Sequence, residues 1–194
     1  TSSNGGGHSG GSSGGNAADT QPPADNTTGS AVQTGSFRDV NTGNWYYSAV
    51  EYVAKKGIMT GISASSFGPN LDTTRGMIVT ILYRLENQPT GTEAAAFSDV
   101  RAGQYYADAI AWANANGIVT GYGNGLFGPN DAITREQMVA ILYRYAQYKE
   151  YDVSASAELT AFSDAASVSG YAVDAMKWAN AAGLIIGVTS SKLA

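Results

Sequence analysis

Apolar residues along this chain recur at the three- and four-residue spacing of helices, in short stretches separated by glycine-rich runs. Val50 and Val53, Ile110 and Ala113, and Met176 and Ala179 mark one side of three helices over about 45–56, 105–116 and 171–182. Gly57, Gly117 and Gly183 follow as left-handed carboxyl caps. Two further helices begin at Thr74 and Thr134. Ile78, Ile81, Leu82 and Leu85 supply the stripe of the first, and Met138, Ile141, Leu142 and Tyr145 that of the second. Thr134 and Gln137 have the spacing of a capping box. The loop GYGNGLFGPNDAI offers glycines for positive φ, a Pro-Asn turn, room for a short hairpin, and Leu126-Phe127 to plug the end of a bundle. Tyr105, Tyr106, Trp112 and Trp178 fall at helical spacing and read as core, which leaves the residues that open the first helices as the exposed ones.

The helices belong to a repeat. Shifted by 60 positions, Phe37 falls on Phe97, Asp39 on Asp99, Gly57 on Gly117 and Thr60-Gly61 on Thr120-Gly121. FGPN, TR and ILYR recur in the same register. A third copy opens at Phe162, gains one residue before Trp178, and reaches Ala194 without counterparts of Pro129, Thr134 or Arg135. Repeats of 37–96, 97–161 and a truncated 162–194 follow, each burying its faces on its neighbours. The expectation is that the natural protein continues with a Pro turn, a third Thr-Arg box and a closing helix.

Residues 1–35 are Gly, Ser, Thr, Asn and Pro with little to bury, and read as a flexible linker with a reach of roughly 30–35 Å. A cargo domain is expected upstream of it, and an export signal further upstream still. The net charge of -5 and the absence of a basic stripe argue against nucleic acid. No apolar run approaches the ~20 residues of a membrane span. No cysteine is present and the single histidine, His8, lies in the linker, so the chain offers neither a thiolate metal site nor the parts of a nucleophilic enzyme. No cofactor is called for.

One pair of residues runs against helix electrostatics. Arg75 and Arg135 stand in the first turns after Thr74 and Thr134, where partial positive charge accumulates and a cation costs about 0.3–1 kcal/mol. An anion held there by helix amides, dipole and a planar guanidinium fork removes that cost. A surface ion pair with Asp131 or Asp99 is the plainer alternative.

The pattern FxDV…WYYSAVEYVAKKGIMTG…FGPN…TTR…ILYR resembles the S-layer homology domain, over two full repeats and about half of a third. The resemblance implies a mainly α fold of helix-loop-helix repeats around a pseudo-threefold bundle. It implies anchoring of an exported bacterial protein in the cell wall through secondary cell wall polysaccharide carrying a pyruvate ketal. It also implies a set of ligand-binding residues: Arg75 and Arg135 with Thr74 and Thr134, the acidic opening positions Asp39, Asp99 and Asp164, the first-helix aromatics Trp45 and Tyr105, and Gly61 and Gly121. TTRGM lacks the glutamate of the box, and Gly76 weakens a first turn by up to ~1 kcal/mol, so the first groove is expected to bind less well than the second. The alternative reading is a structural module that packs against neighbouring surface proteins without holding sugar.

Overall fold

The computed structural model describes residues 37–193; the expected linker lies outside the described residues. Five α-helices follow in chain order: α1 (Tyr47–Lys55), α2 (Arg75–Leu85), α3 (Ala107–Ala115), α4 (Arg135–Tyr148) and α5 (Val173–Ala181). Each first helix begins two residues later than expected, at Tyr47, Ala107 and Val173, behind a turn that in the third repeat is the 3-10 turn Gly170–Ala172. Gly57, Gly117 and Gly183 take φ of +67°, +68° and +67°, as carboxyl caps require. The threonines that open α2 and α4 accept from the amides of Met77 and Gln137, and the Gln137 side chain accepts in return from Thr134 N–H. In the loop over 121–133 the expected hairpin reduces to a hydrogen bond from Tyr122 N–H to the Leu126 carbonyl, and the equivalent loops carry single antiparallel bridges, Ser63 to Ser66 and Thr189 to Lys192.

Helices pair forward along the chain. α2 of the first repeat packs on α3 of the second, and α4 of the second on α5 of the third. The first pair encloses the largest core, around Val79, Leu82, Ile110, Trp112, Phe127 and Ile141. The second holds Val139, Ala140, Met176, Trp178 and Ile185. Among the described residues α1 packs in a satellite core of Phe37, Val40, Val50 and Ala54.

Two sequence expectations shift by a side chain. Val79 and Leu82 form the innermost line of α2, whereas Leu85 is 46% exposed, because α2 meets α3 along its middle rather than at its carboxyl end. Phe127 plugs the loop as expected, and Leu126 beside it faces outward. Tyr106, Trp112 and Trp178 are core residues.

Candidate functional site

Each repeat opens with an aspartate that clamps its own loop. Asp39 accepts from the Ser66 hydroxyl at 2.7 Å and from the amides of Phe67 and Gly68 at 2.9 and 2.8 Å. Desolvation would raise its pKa, but these donors outweigh it and bring the carboxyl down to about 2. Asp99 repeats the clamp on Phe127 and Gly128 at 2.9 and 2.7 Å, and Asp164 on Leu193 at 2.9 Å. Gly61 and Gly121 lie under the same loops. A Cβ at Gly61 would stand 2.8 Å from the Phe37 ring, and one at Gly121 would stand 2.6 Å from the Phe97 ring, so both are held to glycine by close packing. The aspartates and glycines thus position loops.

The two arginines meet different surroundings. Arg75 is 6% exposed. Its Nε donates to the Phe127 carbonyl at 2.9 Å and its Nη2 to the Thr120 carbonyl at 3.4 Å, and its guanidinium lies 4.7 Å from the ring centres of both Tyr122 and Phe127. The amino end of α2 is closed as well. Arg75 N–H donates to the Asp131 carbonyl and Gly76 N–H to the Pro129 carbonyl, at 3.0 and 2.9 Å. The open helix end expected at this junction is therefore absent: the second repeat's own loop satisfies the donors that an anion would use. Gly76 has a reason different from a weakened turn, since a Cβ there would stand 2.8 Å from the Pro129 carbonyl oxygen and 3.2 Å from the Tyr106 ring.

At the amino end of α4 the same junction is only partly made. Arg135 Nη2 donates to the Ile186 carbonyl at 2.6 Å, and Ile186 corresponds to Thr120 when the third repeat is aligned through Trp112 and Trp178. Arg135 Nε is buried and, among the described residues, has no acceptor. Nor does any described residue accept from the Arg135 and Glu136 amides. A half-buried guanidinium and two helix-end amides thus stand at the amino end of α4, where the helix dipole favours an anion. Arg75 and Arg135 meet carbonyls rather than Asp99 or Asp131, and among the described residues Lys149 pairs with Glu86 and Lys177 with Glu158.

Glu136, absent from the sequence-derived set, staples the next repeat. Its Oε2 accepts from Ser169 N–H at 2.8 Å, and its Oε1 accepts from the Ser169 hydroxyl at 2.8 Å and from the Tyr171 hydroxyl at 3.2 Å. The difference between Gly76 and Glu136 at one repeat position was the signal in the sequence that the two junctions differ. Tyr105 is half-buried against Thr74, where burial raises its pKa and the Thr74 hydrogen bond lowers it. Trp45, at the same position of the first repeat, is 91% exposed with its edge on Tyr46. The described residues hold no group of three His, Cys, Asp or Glu able to bind a metal, and no helix among them is long and apolar enough to cross a membrane.

Residues 36–76, 96–139 and 161–194 match the family model described as S-layer homology domain. The chain is 36% identical over 156 residues to an amylopullulanase of Thermoanaerobacterium thermosulfurigenes, covering 78% of this chain and 8% of that protein. It is 33% identical over 164 residues to an endoglucanase of Bacillus sp. (strain KSM-635), covering 84% and 17%. It is 32% identical over 108 residues to the S-layer protein sap of Bacillus anthracis, covering 55% and 13%. The chain thus spans less than a fifth of each of these curated relatives.

Proposed function

Because this chain belongs to the S-layer homology domain family, we propose that it is a non-catalytic module that anchors a bacterial protein in the cell wall, outside the cell, by holding a pyruvylated secondary wall polysaccharide at the amino end of α4. The shared segment accompanies an amylopullulanase, an endoglucanase and an S-layer protein alike, so it does not follow any one activity. This supports an anchor carried beside a separate cargo domain.

The observation that carries the ligand reading is the buried Arg135 Nε with no acceptor. A ketal-linked pyruvate offers a carboxylate to that nitrogen and to the Arg135 and Glu136 amides together. Thr134 caps the helix and orders those amides. Arg75 and Thr74 belong to a junction whose donors are already taken, so their part in this reading is to hold the repeats in register. Asp39, Asp99 and Asp164 hold the loops that frame the grooves, with Gly61 and Gly121 packed beneath the first two, and the exposed Trp45 ring and half-buried Tyr105 are the stacking surfaces for sugar.

Co-sedimentation with purified wall sacculi tests the reading. The chain is expected to sediment with sacculi that carry the polysaccharide and to stay in solution after mild acid has removed the ketals. Equal sedimentation with both preparations overturns it.

A further inference from the structure

The glycine-rich loop of each repeat is tied at one point to the segment that opens the repeat. The N–H groups of Arg38, Ser98 and Ser163 donate to the carbonyls of Ser65, Gly125 and Ser191, at 2.9, 3.0 and 2.9 Å. The turn that carries this tie is held differently in the second repeat. In the first and third, the hydroxyls of Ser63 and Thr189 accept from Ser65 N–H and Ser191 N–H, each at 3.3 Å. In the second, the side-chain amide oxygen of Asn124 accepts from Leu126 N–H at 3.1 Å. Gly125 follows Asn124, where the first repeat has Ala64-Ser65 and the third Ser190-Ser191.

Asparagine before glycine sets a carboxamide carbon beside a backbone nitrogen that no side chain shields. The bond from Leu126 closes a ring that spans Gly125, so it folds Asn124 Cγ back towards the Gly125 nitrogen and polarises the carbonyl that this nitrogen attacks. No described residue accepts from the Gly125 N–H. Asn124 and Gly125 are exposed, and the space where a Cβ of Gly125 would stand is open. The same dipeptide at Asn116-Gly117 is also exposed but is held differently. Asn116 Nδ2 donates to the Trp112 carbonyl at 2.8 Å, which turns the side chain back along α3, and Gly117 N–H donates to the Asn114 carbonyl at 3.1 Å.

We infer that Asn124 is a self-modification site, where the loop of the second repeat converts its own asparagine to isoaspartate and aspartate. The Gly125 nitrogen bonds to Asn124 Cγ, the Cγ–Nδ2 bond breaks, and the Gly125 amide proton leaves with Nδ2 as ammonia. Water then opens the cyclic imide. Attack at Cγ gives aspartate, and attack at the Asn124 backbone carbonyl gives isoaspartate, in which the chain runs through Cβ. Isoaspartate adds a methylene to the backbone between Tyr122 and Leu126, whose N–H and carbonyl are bonded at 2.8 Å. The Tyr122 ring covers the Arg75 guanidinium, and the carbonyl of Phe127, next along the loop, takes Arg75 Nε. The modification therefore loosens the seat of Arg75 at the junction of the first and second repeats.

The test ages the purified chain in mildly alkaline buffer, folded and in urea, and follows both dipeptides by fragmentation mass spectrometry of the tryptic peptide 102–135, which contains them. In urea the two are expected to react at similar rates, because glycine follows asparagine in both. In the folded chain Asn124 is expected to outpace Asn116 by roughly ten- to hundredfold, the factor that two hydrogen bonds to be broken put on a rate. The form carrying isoaspartate at 124, separated from unreacted chain, is expected to melt lower. Asn124→Asp adds the charge without the methylene and is expected to melt as the parent does. A folded chain in which Asn124 reacts no faster than Asn116 overturns the site. An isoaspartate form with an unchanged midpoint, or an equal fall in Asn124→Asp, overturns the loosening of the junction.

Discussion

The guanidinium of Arg75 lies 4.7 Å from the centre of the Tyr122 ring, across the junction of the first and second repeats. A buried cation held by two carbonyls and two aromatic faces is part of the folding core. Arg75→Ala is expected to lower unfolding free energy by about 2–3 kcal/mol, the range for a charged hydrogen bond with an aromatic contact. Arg75→Lys is expected to recover less than half, since an ammonium does not reproduce the planar fork. Denaturant unfolding followed through Trp112 and Trp178 fluorescence reads both, and an unchanged midpoint would remove Arg75 from the core.

Arg135 is expected to show the opposite balance. Arg135→Ala should weaken binding to pyruvylated wall polysaccharide by roughly ten- to hundredfold, the equivalent of about 1.5–3 kcal/mol for a charge-assisted hydrogen bond, with little change in unfolding midpoint. Arg75→Ala, measured under conditions where it remains folded, should change affinity less. Calorimetric titration of the polysaccharide into each variant decides the order, and equal losses would sink the assignment of the ligand to α4.

For Gly76 two physical effects predict opposite signs. Helix propensity alone makes Gly76→Ala stabilising by up to ~1 kcal/mol. The Pro129 carbonyl, 2.8 Å from where the new Cβ would sit, makes it destabilising by about 1–3 kcal/mol, because backbone on both sides has to move. Contact should win. The thermal midpoint of the variant is expected to fall, and a rise would show that the junction is looser than its distances.

Acid should open the first repeat's clamp. The Asp39 carboxyl titrates at about 2 in the folded chain, below the ordinary ~3.9 of the unfolded one. A depressed folded value means that its contribution is complete above the unfolded pKa and is lost as pH falls through the folded one. Stability should therefore decline between about pH 4 and pH 2. Asp39→Asn is expected to be less stable at neutral pH and to flatten that part of the profile. Unfolding midpoints of the two proteins across this window test it, and parallel profiles would count against the clamp.

Glu136 is expected to matter to the third repeat rather than to its own. Glu136→Ala removes the acceptor of the Ser169 amide and hydroxyl and should cost about 1–2 kcal/mol. Hydrogen exchange should rise in residues 165–181 while α3 stays protected. Uniform exchange changes would argue against a local staple.

Helix existence and order were legible because period and caps act locally. Gly57, Thr134 with Gln137, and the recurrent FGPN each fixed a boundary that the structure keeps. Long-range substitution of one donor or acceptor for another was not legible. Nothing near Arg75 in sequence announces that the Phe127 carbonyl, 52 residues on, will take its Nε, or that the Asp131 backbone rather than its carboxylate faces α2. The aromatic opening positions divided for the same reason: Tyr105 and Trp45 share a place in the repeat, but Tyr105 lies against Thr74 at the opening of α2 whereas Trp45 is exposed.

The contact between Gly76 and Pro129 also bears on redesign. Positions 76 and 136 coincide in the repeat, yet one requires the absence of a Cβ and the other uses a carboxylate that reaches Ser169. A consensus unit built by averaging the copies would place glutamate against a carbonyl at one boundary, or glycine where a staple is needed at the other. Shuffling whole units meets the same obstacle. The modules of this chain are alike in sequence but not interchangeable, and a designer would have to treat each boundary, rather than each unit, as the part to be copied.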